Sequence, residues 1–217
     1  VARGNPTADT DHNVGIGYAA MNVLTSGDSN VCIGSSAGVA ITEEHNVIAI
    51  GRNAGAAIED TGADGTVAIG RDALTALTTG AKNTAIGYDA MGDALYSYNN
   101  VAIGYESLNA LAGDDANNAG GNNIAIGVDS MGSLNAGVHS SARANMNIAI
   151  GTSAFLAGSM ADSSSSVSVG NVCIGHEAAM TTGTNPQEGI TAIGHRALKA
   201  LTSGARNTAV GYASASI

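Results

Sequence analysis

The chain has 217 residues, 30 of them Gly, with one Phe, no Trp, 12% charged residues and a formal net charge of −10. That is long enough to bury a core, but the apolar content comes from Ala, Ile, Val, Leu and Met, which suits closely spaced backbones. So few Lys and Arg argue against a nucleic-acid groove or an anionic membrane surface, and no run of 18 apolar residues exists to span a bilayer.

Residues 1–12, VARGNPTADTDH, read as an irregular lead-in without an initiator Met or a signal-peptide pattern, as expected of a processed chain or a piece of a longer one. From residue 13 to 217 one phrase returns, closed each time by a Gly: Gly17, Gly34, Gly51, Gly70, Gly87, Gly104, Gly127, Gly151, Gly175, Gly194 and Gly211. The spacing is 17 residues at base and lengthens to 19, 23 or 24. Such a period predicts a mainly β fold, a parallel β-solenoid of about eleven coils with 17–24-residue repeats.

Within the phrase, Ile or Val precedes each Gly and Val, Ile or Thr stands two residues earlier, as in Val101–Ile103. The interleaved position is Ala68, Ala85, Ala102, Ala125, Ala149, Ala192 or Ala209, with Cys32 and Cys173 as substitutes. Alternation at period 2 predicts one strand per coil, with the larger residues packed on the coil's own interior. The small Ala face is then expected to pack on other copies of the chain, because parallel sheets are covered on both faces.

After each Gly the third residue is small, the fourth is often Met or Leu (Met21, Leu74, Met91), and the seventh is often Leu or Ile (Leu24, Ile41, Leu77, Leu134). Offsets of three and four favour a short helical turn, with Asp, Ser or Asn as its N-cap; a second strand is the competing reading. The Asn column, Asn13, Asn30, Asn83, Asn100, Asn123, Asn147, Asn171 and Asn207, is expected to form hydrogen-bonded ladders at the turn into the strand. Polar, Gly- and Ser-rich insertions at 113–123, 135–147 and 160–170 read as longer surface loops of a single repeat domain.

The phrases Asn83–Gly87 with Ala90, Asn100–Gly104 with Ser107 and Asn123–Gly127 with Ser130 resemble the head repeats of YadA-like trimeric autotransporter adhesins. They are also similar to repeat segments of some phage tail fibres and tailspikes. The resemblance implies a parallel homotrimer of left-handed β-rolls or a related solenoid, displayed outside a cell or on a virion and adhering to surfaces.

Chemistry-bearing residues are few. Cys32 and Cys173 lie seven coils apart, roughly 34 Å at about 4.8 Å per coil, so they cannot pair within one chain and read as buried thiols. The column after the Gly holds Tyr18, Tyr88, Tyr105, His176, His195 and Tyr212, with Arg52 and Arg71, and reads as an exposed polar and aromatic binding surface. Asp72, Asp89, Glu106 and Asp129 stack like charges on consecutive coils, which a cation such as calcium would relieve. Helix capping explains the Asp residues without an ion.

No nucleophile elbow, metalloprotease, P-loop or dinucleotide motif occurs, so the expectation is a non-enzymatic chain with no cofactor. The expected role is an extracellular, cell-surface or virion fibre segment that associates with copies of itself and meets a cell-surface or glycan receptor. Neither nucleic-acid binding nor membrane insertion is expected. An alternative is the subunit of a filament built by end-to-end stacking of solenoids. A glycan-cleaving tailspike would need a carboxylate pair about 5–9.5 Å apart, and the Asp72 column is its one candidate.

Overall fold

The computed structural model describes residues 12–59, 62–111, 120–133, 143–156, 167–180, 187–202 and 204–215. The expected lead-in falls outside them except for His12, as does Leu134. Among these residues lie sixteen short strands: β1 (Val14–Ile16), β2 (Val31–Ile33), β3 (Ile48–Ile50), β4 (Val67–Ile69), β5 (Thr84–Ile86), β6 (Ser97–Tyr98), β7 (Val101–Ile103), β8 (Gly120–Gly121), β9 (Ile124–Ile126), β10 (Arg143–Asn145), β11 (Ile148–Ile150), β12 (Val167–Val169), β13 (Val172–Ile174), β14 (Gln187–Glu188), β15 (Thr191–Ile193) and β16 (Thr208–Val210). The protein is all β, and its parallel strands form a β-solenoid.

One sheet holds eleven strands in the order β1-β2-β3-β4-β5-β7-β9-β11-β13-β15-β16. Equivalent positions of the repeated phrase pair with one another, so that Val67, Ala68 and Ile69 face Thr84, Ala85 and Ile86. A parallel ladder made of identical phrases fixes its own register, because a slip of one residue would turn every side chain to the wrong face. The Gly that ends each phrase bends the chain away from the sheet. Gly87 has φ +142°, and a Cβ there would collide with the carbonyl oxygen of Gly104 in the next coil, so no other residue fits.

The second half of the coil differs from the expected helical turn. No helix forms among the described residues; residues two and four past each Gly instead take the left-handed conformation. Asp72 and Leu74 have φ of 59° and 50°, and Asp89 and Met91 have 53° and 53°. Each such residue carries a cost of roughly 1–2 kcal/mol, eased for Asp and Asn by their short polar side chains. Hydrogen bonds to both neighbouring coils offset it: Asp89 N–H donates to the Arg71 carbonyl at 3.0 Å, and Met91 N–H to the Ser107 carbonyl at 3.0 Å. The Asp residues of this segment are therefore not N-caps.

A second strand does exist, but at the end of the coil rather than after the Gly. The second sheet is also parallel, in the order β14-β12-β10-β8-β6. Strands β8, β10 and β12 occupy the C-terminal ends of the insertions read as loops at 113–123, 135–147 and 160–170. The remainder of those insertions, apart from residues bordering β8, β10 and β12, lies outside the described residues.

The two faces of the long sheet are the reverse of the expectation. Ala49, Ala68, Ala85, Ala102, Ala125, Ala149 and Ala192, with Cys32 and Cys173, are fully buried inside the coil. There they join the small third residues after the Gly, such as Ala54, Ala73 and Ala90, and the larger Leu74, Leu77, Met91, Leu108, Leu111, Met131 and Phe155. The Val and Ile columns point outward: Ile16 is 57% exposed, Ile103 37% and Val210 65%. The coil is narrow and its inward strand residues face those bulky side chains, so a methyl group is all that the strand can add. The Ala face thus lies against its own coil and makes no contact with another chain.

Candidate functional site

The residue after each Gly begins a column along the side of the solenoid. Backbone pairing places its members one coil apart, so their side chains stack. The rings of Tyr88 and Tyr105 lie 5.3 Å apart at 9°, and the Arg71 guanidinium sits 5.2 Å above the Tyr88 ring as a cation–π contact. Further along, His176 stacks on His195 at 5.1 Å and His195 on Tyr212 at 5.0 Å. Val128 and Thr152 occupy the intervening coils and separate the two stacks. Tyr18 stands apart in the first coil, 82% exposed, with Ser35 as its neighbour in the column. The six ring residues are thus distributed over one surface but not gathered into one pocket.

Stacking has a chemical consequence. Within each stack the ring faces cover one another, so Tyr88, Tyr105, His176 and His195 leave mainly ring edges uncovered, and the His195 Nδ1 is buried without a hydrogen-bond partner among the described residues. The column therefore offers ring edges at a spacing of about 5 Å rather than an open aromatic face.

Beside that column runs the carboxylate column, and it divides by charge partner. Asp72 is neutralised by the Arg71 Nε at 2.8 Å and the Arg52 Nη2 at 3.8 Å, and it accepts the Asn53 amide at 2.8 Å. Glu177 accepts the Arg196 Nε and the Lys199 Nζ, each at 2.7 Å, with the His176 Nδ1 3.9 Å away. The hydrogen bonds from Lys199 and Arg196 hold its carboxyl down at about 2. Between these two clusters, Asp89, Glu106 and Asp129 have no ion pair among the described residues. Burial first, then Asp93 and Glu106, raises the Asp89 carboxyl; burial and Glu106 raise Asp129. Adjacent acids relieve their repulsion by holding a proton more tightly. Among the described residues no group of three His, Cys, Asp or Glu side chains is placed to hold a metal ion.

Both thiols lie in the interior of the coil. Cys32 and Cys173 are buried and free, and burial pushes both up to about 12, far from a reactive thiolate. A shallow groove elsewhere, of about 470 Å³, is lined by Val23, Val39, Ala40, Thr42 and Glu59 and brings a single carboxylate to an apolar wall. No helix among the described residues is long and apolar enough to cross a membrane.

Two features escape a reading of the sequence. One is the outward Val and Ile face, whose alternation is visible but whose direction is not. The other is the Glu177–Arg196–Lys199 cluster, whose members come from neighbouring coils and meet only through the stacking register. Compared with family models, curated proteins and solved structures, the chain matches none.

Proposed function

We propose that this chain is a segment of an extracellular structural or adhesive fibre, exposed on a cell surface or virion, with no catalytic role. The observation that carries this reading is the uniformity of the molecule. Coil after coil repeats one backbone path, and what varies is a side column of Tyr, His and Arg presented at regular intervals. Catalysis requires a few groups converging on one point, whereas this arrangement distributes modest polar groups along a line, as a surface engaged at many weak points does. The fibre is assembled from copies of the same chain in parallel, and its receptor is a glycan or protein surface rich in hydrogen-bonding groups.

The test is binding of the immobilised protein to a panel of glycans and to whole cells. The expected result is adhesion that falls at least several-fold when Tyr88 and Tyr105 are both replaced by Ser. Absence of binding across the panel, or binding indifferent to that pair, would refute the adhesive reading. Release of glycan fragments that ceases in Asp89→Asn would replace it with the tailspike reading.

A further inference from the structure

We infer that the outward face of the eleven-stranded sheet is the surface through which this chain associates with a second copy of itself. The face consists of the first and last residue of each three-residue strand. Thr84, Thr191 and Thr208 apart, every one of these positions is Val or Ile, and none is charged. All are partly or fully exposed, including both ends and the middle: Ile16 at 57%, Ile103 at 37% and Val210 at 65%. A chain with net charge −10 that keeps every charge off one full-length face holds that face for an apolar neighbour.

The size of the face fits a copy of the chain. Eleven strands at about 4.8 Å extend roughly 50 Å, and three strand residues span about 10 Å. That gives about 500 Å² on each partner, or about 1,000 Å² in all, the area at which a specific protein–protein interface begins. A parallel sheet packs its other face on its own coil interior, and the outer face is the one still open. Branched residues at strand spacing interdigitate best with an identical array, which a second copy supplies along the whole length.

This inference deepens the fibre reading by naming the surface of assembly, and it stands apart from adhesion. A chain that associates through this face yet binds no receptor refutes the adhesive reading alone.

The experiment is mass in solution by light scattering over a dilution series, on the wild type, the triple variant Ile69→Thr/Ile86→Thr/Ile103→Thr, Ile86→Lys and Tyr88→Ser. The expected wild-type mass is a multiple of 21.2 kDa. Threonine already occupies three positions of this face, so the triple variant keeps the strands while shedding apolar area, and its dissociation midpoint rises at least about tenfold. Ile86→Lys gives the monomer, and Tyr88→Ser leaves the mass unchanged. A wild type that remains monomeric into the high micromolar range overturns the inference. So does an oligomer whose midpoint the triple variant does not move, because its contact then lies elsewhere. The triple variant decides the matter if Ile86→Lys fails to fold.

Discussion

The side-chain oxygen of Asn100 accepts the backbone N–H of Asn123 at 2.9 Å and the side-chain amide of Asn123 at 3.1 Å. Asn123 repeats the arrangement with Asn147, at 3.1 and 3.0 Å, and donates its amide to the Ala144 carbonyl at 2.8 Å. Each Asn thus ties its own coil to the next at the corner where the chain enters the long sheet, and all three are fully buried. Replacing Asn123 by Ala orphans the Asn147 N–H and the Ala144 carbonyl. The expected loss is about 3 kcal/mol, from two buried groups left without partners. Native-state hydrogen exchange checks it: the Asn147 amide should exchange much faster while amides of β2 and β3 hardly change.

The inside and outside of the long sheet are separable by size. Ala85 is fully buried inside the coil, and Ile86 is the next residue but points outward. Ala85→Leu adds three carbons where there is no space and should cost about 1–3 kcal/mol or more. Ile86→Thr should change the stability of the isolated chain by less than about 1 kcal/mol. Urea unfolding of both variants at low protein concentration tests the assignment. Equal losses would contradict it.

Two carboxylates give stability opposite dependences on pH. Glu44 is fully buried; its Oε2 accepts the Thr42 and Glu43 N–H groups at 3.2 and 3.3 Å, while its Oε1 is unpartnered among the described residues. Burial raises its carboxyl above the ordinary 4.5. The folded chain therefore holds that proton more tightly than the unfolded one, and stability falls as pH rises from about 4.5 through the raised value. Glu177, held at about 2, does the reverse: its contribution is present above 4.5 and is lost as pH falls toward 2. Thermal midpoints from pH 3 to 8 should show Glu44→Gln flattening the neutral side of the profile. Glu177→Gln should flatten the acid side, by less, because its cluster is exposed to solvent and salt.

The buried thiols of Cys32 and Cys173 should be silent to a thiol-specific reagent at pH 8 in the native state. Both should react in full once urea unfolds the chain. Rapid labelling of Cys173 alone would show that the coils around β13 open locally well before the whole solenoid.

Much of the fold is legible in the phrase itself. A Gly recurring at 17 residues, preceded by alternating branched and small side chains, locates every strand of the long sheet, its parallel pairing and its register. The Asn ladder follows from the same repetition, since an identical side chain at every corner meets only its own kind. The helical turn expected after each Gly has a physical cause. Left-handed residues alternating along a turn place buried side chains three and four apart, as a helix does, so Ala73, Leu74 and Leu77 imitate a helical face. Their identity is decided by hydrogen bonds to neighbouring coils, which no single repeat contains.

The sequence by itself determined that the chain is a parallel stack and which residues share each column. Which face of the sheet lies inward was decided only by the tertiary structure. Period-2 alternation marks two faces without orienting them, and both faces here are apolar. The choice falls to the width of the coil: Leu and Met from the opposite side fill the narrow interior, so Ala85 and its equivalents go in and Ile86 and its equivalents are left facing outward. Residues from different coils, such as Glu177 with Arg196 and Lys199, become neighbours by the same closure, because contact between them depends on stacking and not on their separation along the chain.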